Sequence, residues 1–261
     1  MIEHLSYSSI SAYLLCGRNW RYKYLDKIPT KTTSGLILGS AFHDAIECLL
    51  SRGKEEEPEE IFKEAFSTQI ERNGDNIDWQ NESPESVLND GIRLFKSNAI
   101  IDGIKSIKPK LNDNGAMIEQ KIELSVPYVP VPIVGYIDII LEDGTPADFK
   151  TSAKRWSDDQ AQNSMQSLFY IAALDQAGFY QNVESRENYK FTHLVFVKTK
   201  EPAFQKIEHW HSTAELFFLM DVISSCWNGI SAGVFTPNPD SWKCNPRFCE
   251  YWDICKGAAT K

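Results

Sequence analysis

The chain has no run of eighteen apolar residues, so it offers no candidate transmembrane helix. Its opening, Met1-Ile2-Glu3-His4-Leu5, lacks the basic-then-apolar order of a secretory signal. These two absences lead to the expectation of a soluble, cytoplasmic protein. Positive charge is also scarce, since 27 Lys and Arg stand against 36 Asp and Glu for a formal net charge of -9. That is the wrong sign for a protein that coats nucleic acid passively. It does not exclude an enzyme with a carboxylate metal site, because bound cations restore positive charge where a phosphate would sit. No internal repeat or low-complexity tract appears.

With 42% hydrophobic and 24% charged residues over 261 positions, there is apolar material for a sizeable core, and one domain over 1–261 is expected. Six cysteines in a reducing compartment are better read as metal ligands or small buried hydrophobes than as disulfides. Leu5-Ser6 followed by Ile10, Tyr13 and Leu14 predicts a capped helix, after which Arg18, Arg21 and Lys23 interleave with Trp20, Tyr22 and Tyr24. Basic and aromatic side chains together suit single-stranded nucleic acid and make Arg18 and Tyr22 candidate substrate-binding residues, although a snorkelling helix end would look the same.

A second helix is expected over 36–52, its buried stripe formed by Phe42, Ile46, Leu49 and Leu50, with His43 and Glu47 adjacent on another stripe. The acidic run Glu55 to Glu60 around Pro58 opens a third helix, and a fourth runs from Pro84 to about Ile104. Residues 52–115 then read as a helical insertion or lobe. Near 116 the period changes to alternation, with Ile118, Ile122, Leu124 and Val126 on one strand face and Glu119, Lys121 and Glu123 on the other. Strands over 133–141 and 146–151, a helix over 159–177, a buried strand over 191–198 and an edge strand over 204–210 follow. Ser212-Thr213-Ala214-Glu215 is a capping box that opens a long helix ending at Gly233.

The stretch Gly135-Tyr136-Ile137-Asp138, followed by Asp148-Phe149-Lys150, carries the chemistry. Asp148 and Lys150 are two apart in a strand and share a face. Asp138 joins them only if 138 opposes 148 in the hairpin, which makes 141 oppose 145 and leaves a three-residue turn, Glu142-Asp143-Gly144. Two facing carboxylates suit one or two Mg2+ or Mn2+ ions, and Lys150 can hold the attacking water or stabilise a pentacovalent phosphate. A plain Asp–Lys ion pair on a solvated face would give the same local sequence. His43, upstream on its helix, is a good further ligand for Mn2+, and Gln166 and Tyr170 lie on one helix stripe within reach of the same phosphate or lysine.

In order, Gly39-Ser40-Ala41-Phe42-His43, Glu119, Gly135 to Asp138, Asp148-Phe149-Lys150 and Gln166 to Tyr170 make a set that resembles the RecB-like nucleases of the PD-(D/E)xK superfamily. That group includes CRISPR-adaptation nucleases and phage-encoded exonucleases. The resemblance implies an α/β fold with a restriction-endonuclease-like mixed sheet. It also implies His43, Asp138 and Asp148 as metal ligands, Lys150 as the catalytic lysine, Gln166 and Tyr170 as a supporting pair, and Glu119 as a further candidate. Asp148 departs from the Glu that many relatives carry.

Cys244-x4-Cys249-x5-Cys255 places three soft ligands within twelve residues, which suits Zn2+ or an iron-sulfur cluster with Cys16 as the fourth ligand. Spacing does not separate the two metals, and the preference for 4Fe-4S comes from the resemblance. Such a cluster would staple region 234–261 to Cys16. Cys48 and Cys226 read as small core residues. The leading reading is a metal-dependent DNA exonuclease acting on single strands or from ends, since nothing resembles a base-reading element. The alternatives are a nucleic-acid-binding subunit that works only through a partner, and a redox protein. The resemblance further implies DNA and a recombinase or helicase as partners, and a phage or mobile-element origin.

Overall fold

The computed structural model describes residues 2–52, 57–180 and 188–256, so Glu55 and Glu56 of the acidic run and residues 257–261 lie outside the described residues. A mixed sheet of six strands, flanked by helices, contains β1 (Leu5–Ser6), β2 (Ile118–Leu124), β3 (Ile133–Ile140), β4 (Pro146–Ser152), β5 (Tyr189–Val197) and β6 (Ala203–His211). Strand β3 is its pivot. Antiparallel β2 runs along one edge of β3, from Leu124 opposite Ile133 to Ile118 opposite Ile139. The other edge is shared: β1 pairs in parallel at Ile133 and Val134, and β4 pairs antiparallel at Ile139 and Ile140. Between them the β3 edge is left open around residues 135–138. Parallel β5 then joins β4, and antiparallel β6 lies outermost.

The β3–β4 register pairs Ile139 with Ala147 and Ile140 with Pro146, which by continuation sets Asp138 opposite Asp148. Leu141 N–H donates to Thr145 O at 2.8 Å, and Gly144, at φ +83, donates to Leu141 O at 2.8 Å. This is the three-residue turn that the chemistry requires, with a glycine where the left-handed conformation is needed.

Among the described residues eight α-helices of five residues or more cover the sheet: α1 (Tyr7–Leu15), α2 (Ser34–Arg52), α3 (Pro58–Asn73), α4 (Pro84–Phe95), α5 (Asn98–Ser106), α6 (Asp158–Gln162), α7 (Met165–Gln176) and α8 (Thr213–Ser231). Ser6 caps α1 and Ser212 caps α8, each through a reciprocal box with the third residue of the helix. Pro58 sits in the first turn of α3 with Glu59 and Glu60. One face of the sheet packs Phe149, Phe196 and Ile139 against Phe42, Phe62, Leu94 and Ile100 from α2 to α5. The opposite face packs Phe191 and Ile133 against Ile10, Leu168, Phe169, Leu219 and Ile223 from α1, α7 and α8. Cys226 is buried in this second core, and Cys48 packs against the first.

Three expectations change. The helix expected over 84–104 breaks at Lys96-Ser97 into α4 and α5. In an unbroken helix the stripe of Val87, Leu94 and Phe95 would continue to Asn98 and Asp102, whereas the side chains that need burial are Ile100 and Ile104. The break resets the face. The helix expected over 159–177 splits into α6 and α7, where Asn163 Nδ2 donates to Asp159 O at 2.8 Å and the Ser167 hydroxyl donates to Ser164 O at 2.5 Å. These short polar side chains offer the backbone an alternative to continuing the helix. Finally, Glu119 adopts φ +49 and interrupts the alternation of β2, so Ile118 packs toward one core while Ile122 and Leu124 enter the other. Among the described residues, no helix is long and apolar enough to cross a membrane.

Candidate active site

The open edge of β3 is where the acidic residues gather. Beyond Ile139–Ala147 the β3–β4 ladder stops, and the Phe149 N–H, which a continued ladder would use, instead donates to Asp138 Oδ2 at 2.6 Å. Asp138 and Asp148 are both buried, Asp148 with 1% of its surface exposed, so the bland reading of a solvated strand face fails. Lys150 Nζ lies 2.6 Å from Asp148 Oδ2 and donates to Gln166 Oε1 at 2.8 Å, while Gln166 Nε2 donates to the Tyr170 hydroxyl at 2.8 Å. Helix α7 thereby holds the lysine from above the sheet, and the four-residue spacing of Gln166 and Tyr170 is used as the sequence suggests. His43 of α2 approaches from the other side, with Nδ1 3.9 Å from Asp138 Oδ2.

Charge states follow from this packing. Burial, and then the facing Asp148 carboxylate, holds Asp138 well above the usual carboxylate range, although the Phe149 amide opposes it. Burial would raise Asp148 too, but the Lys150 ammonium and His193 outweigh it and hold Asp148 below its ordinary value. For Lys150, burial works against the charge and Asp148 more than compensates, so its pKa rises. Burial lowers His43, favouring the neutral imidazole that can serve as a ligand. Tyr170 is raised by burial and by both carboxylates, and stays a phenol.

Two more acids join the site, Glu119, a candidate from the sequence, and Glu47, noted there only as His43's neighbour; Tyr7 and His193 were not singled out from the sequence. Glu47, one turn beyond His43, is pushed up to about 9 by burial and by the Glu119 carboxyl with which it shares a hydrogen bond. Glu119 itself is exposed and stands opposite Asp138 by register. It therefore belongs to this acidic corner rather than to a separate solvated face. Tyr7, where β1 enters α1, is raised by burial and lies near Lys150, Asp148 and Gln166. On β5, His193 pairs directly with Asp148 in the parallel ladder, and its Nδ1 is 3.8 Å from Asp148 Oδ2.

Among the described residues no three His, Cys, Asp or Glu side chains are gathered into a formed metal site. The donor set nevertheless fits a hard divalent cation in kind: two facing buried carboxylates, one of them raised by burial and by the other's charge, and an imidazole that burial keeps neutral beside them.

The second candidate region, where four cysteines gather, lies elsewhere. Cys16, Cys244, Cys249 and Cys255 line one cavity of about 140 Å³ with Arg18, Asn19, Tyr22 and Tyr251, and it shares no lining residue with the carboxylate cluster. Arg18 and Asn19 point N–H groups at Cys255 Sγ and Cys249 Sγ, each at 4.0 Å. Tyr22 packs edge-on against Tyr251 at 5.4 Å. Arg18 and Tyr22 are thus placed on the thiol cavity. Around it the two ends of the chain interlock, with Phe235 stacked on Trp20 at 5.7 Å, Tyr13 donating to Val234 O at 2.6 Å and Tyr251 to Ile28 O at 3.1 Å.

Set against known proteins, residues 4–256 match the family model described as the PD-(D/E)XK nuclease superfamily. Among curated proteins nothing matches the chain. Of solved structures, a candidate exonuclease from Eubacterium rectale superposes with a TM-score of 0.56 at 10% identity, over 93% of this chain and 87% of that one. At that identity the likeness speaks for the fold alone. The protein SSO0001 aligns over 95% of this chain and 96% of its own at 14% identity, but with a TM-score of 0.33 it carries no argument.

Proposed function

This chain belongs to the PD-(D/E)XK nuclease superfamily, and from that premise we propose that it is a metal-dependent DNA nuclease, an exonuclease acting on single strands or from free ends. The observation that carries the reading is the buried Asp138–Asp148–Lys150 cluster at the parted strands, with Lys150 held by Gln166. His43, Asp138 and Asp148 would hold Mg2+ or Mn2+, and Glu119 with Glu47 borders them. When bound, the ion supplies a water of lowered pKa and neutralises charge on the phosphate. Lys150, tethered through Gln166, which Tyr170 in turn holds, would place its ammonium against the attacking water or the charge that develops on the phosphoryl oxygens. The net charge of -9 directs DNA away from the rest of the surface and toward that cation-loaded edge.

The cavity of four thiols supports a structural metal. Soft sulfur donors fit an iron-sulfur cluster or Zn2+, and two N–H groups already face the sulfurs. A 4Fe-4S cluster there is our reading, and Zn2+ is its competitor. Arg18 and Tyr22 would then reach substrate only along the outside of this region.

The test is incubation of anaerobically purified protein with end-labelled linear and circular single strands and duplex, with Mg2+ or Mn2+, beside Lys150→Ala. Metal-dependent loss of linear but not circular substrate is expected, falling on the order of 10²–10³-fold in the variant. No cleavage of any substrate by folded wild type, or a Lys150→Ala rate equal to wild type, would overturn the reading. The iron, sulfide and zinc content of the same sample decides between the two cluster chemistries.

A further inference from the structure

Three of the five histidines form a buried row that nothing in the hydrolytic scheme uses. Asp138, Asp148 and His193 occupy opposed positions on β3, β4 and β5, so a polar line crosses the sheet from the acidic corner. It continues on β6, where His209 stacks on His193 at 5.0 Å with the rings 16° apart, and His211 meets His209 edge-on at 4.9 Å. His211 is anchored, with Nε2 2.8 Å from the Ser167 hydroxyl and Nδ1 3.0 Å from Glu215 in the box that caps α8. His193 is fully buried against Trp156 and Phe191, each 5.1 Å away. Yet neither ring nitrogen of His193 or His209 has a hydrogen-bond partner among the described residues.

Packing alone does not explain this. A buried polar atom without a partner is costly, and an apolar ring would fill the same space without that cost. What distinguishes His193 is the direction of its Nδ1, toward Asp148 Oδ2 at 3.8 Å, just beyond hydrogen-bond length. That oxygen is held instead by Lys150 at 2.6 Å. Were Lys150 to turn toward a phosphate, that oxygen would lose its partner, and a small pivot of the carboxylate would bring it to His193 Nδ1.

Resting on the nuclease reading above, we propose that His193 is a positioning residue for Asp148. Its Nδ1–H takes the carboxylate oxygen that Lys150 releases, and so fixes the other oxygen toward the divalent cation. The stack on His209, tied through His211 to Glu215 and Ser167, sets the plane of the His193 ring. Outer partners of this kind hold the orientation of metal-bound carboxylates.

The test is calorimetric titration of metal-free protein with Mn2+, followed by single-strand hydrolysis at saturating Mn2+. The proteins are wild type, Asp148→Asn, His193→Phe, His193→Asn and His209→Phe. His193→Phe keeps the stack but has no N–H, and should bind Mn2+ about 10–100-fold more weakly. It should also lower kcat with KM for DNA unchanged. His193→Asn, with an amide N–H near the place of Nδ1, should recover most of both losses, and His209→Phe should bind as wild type does. Should His193→Phe fail to fold, His193→Leu, which also lacks an N–H, takes its place in the comparison with His193→Asn. Wild-type Mn2+ affinity in His193→Phe, with binding lost in Asp148→Asn, overturns this inference alone. Equal losses in His193→Phe and His193→Asn overturn it too, because ring volume rather than the N–H would then be at work. No Mn2+ binding by any protein, wild type included, overturns the metal reading itself.

Discussion

Replacing Lys150 with Met in metal-free protein should destabilise the fold in a way that depends on pH. The Asp148 side chain is 1% exposed and that of Lys150 is 27% exposed, with 2.6 Å between the charged atoms. Removing one partner of a buried pair costs about 3–5 kcal/mol, because the remaining charge is left without compensation. The partial exposure of Lys150, and His193 Nδ1 3.8 Å from the same oxygen, argue for the lower end, about 3 kcal/mol at pH 7. The sign follows from the directions of the shifts. In the wild type Asp148 is held below its ordinary value, so the stabilisation is complete above the unfolded carboxylate pKa and is lost only as pH falls through the folded one. In the variant, burial acts without the lysine and drives the Asp148 pKa up, so the variant relieves its strain by taking up a proton as pH falls. The gap between the two proteins should therefore be widest at neutral and higher pH and narrow as the pH falls. Urea midpoints at several pH values, with unchanged slopes, measure it. Adding Asp148→Asn to Lys150→Met should restore most of the loss. A gap below about 1 kcal/mol, the range of exposed ion pairs, or one that does not change with pH, would refute the buried-pair argument.

Two further outcomes follow from packing. A Cβ at Gly91 would fall 1.9 Å, 2.2 Å and 2.8 Å from ring carbons of Phe62, so Gly91→Ala should overpack the α3–α4 contact by about 1–3 kcal/mol, against about 1 kcal/mol gained in helix propensity. Thermal melts should show a net loss that Phe62→Leu partly reverses, and a higher Tm for Gly91→Ala alone would contradict the close approach. Burial, with His193 and His211 as neighbours, pushes His209 down to about 3, below its ordinary value of 6.5. The unfolded chain therefore takes up this proton first, and stability should fall between about pH 6.5 and pH 3 by up to about 1.4 kcal/mol per unit. His209→Phe should flatten that slope in chemical denaturation series, and coincident slopes would count against a buried neutral imidazole.

What could be read in the chain divides along the range of the interactions. Asp138, Asp148 and Lys150 were legible because strand alternation and one turn fix their relation within thirteen residues. Gln166 and Tyr170 were legible because four residues make one helical turn. Glu47 had a local signal, its place one turn after His43, but its value comes from Glu119 on a strand more than seventy residues away. His193 had none, since its pairing with Asp148 depends on a parallel crossover whose register no local pattern sets. His209 and His211, two apart with Trp210 between them, share a strand face, but that spacing says nothing of His193 on the neighbouring strand. Arg18 and Tyr22 carried the right chemistry for nucleic acid, yet composition could not say that they would turn toward the thiols. The two helix breaks are not legible in hydropathy, because the first is set by which face must be buried and the second by hydrogen bonds from the Asn163 and Ser167 side chains to the backbone.

The interlock of Trp20 with Phe235, and of Cys16 with the three later cysteines, has a consequence in time. More than two hundred residues separate the partners, and at about 5–20 residues per second a ribosome needs roughly 10–40 s to bridge them. Throughout that interval a nascent chain carries an uncovered indole and an unshared thiol near its start, and β1 has no strand to join until β3 has emerged. Elongation speed thus becomes a determinant of yield: pauses between Leu25 and Val234 prolong the exposure of a surface that only the later segment can cover.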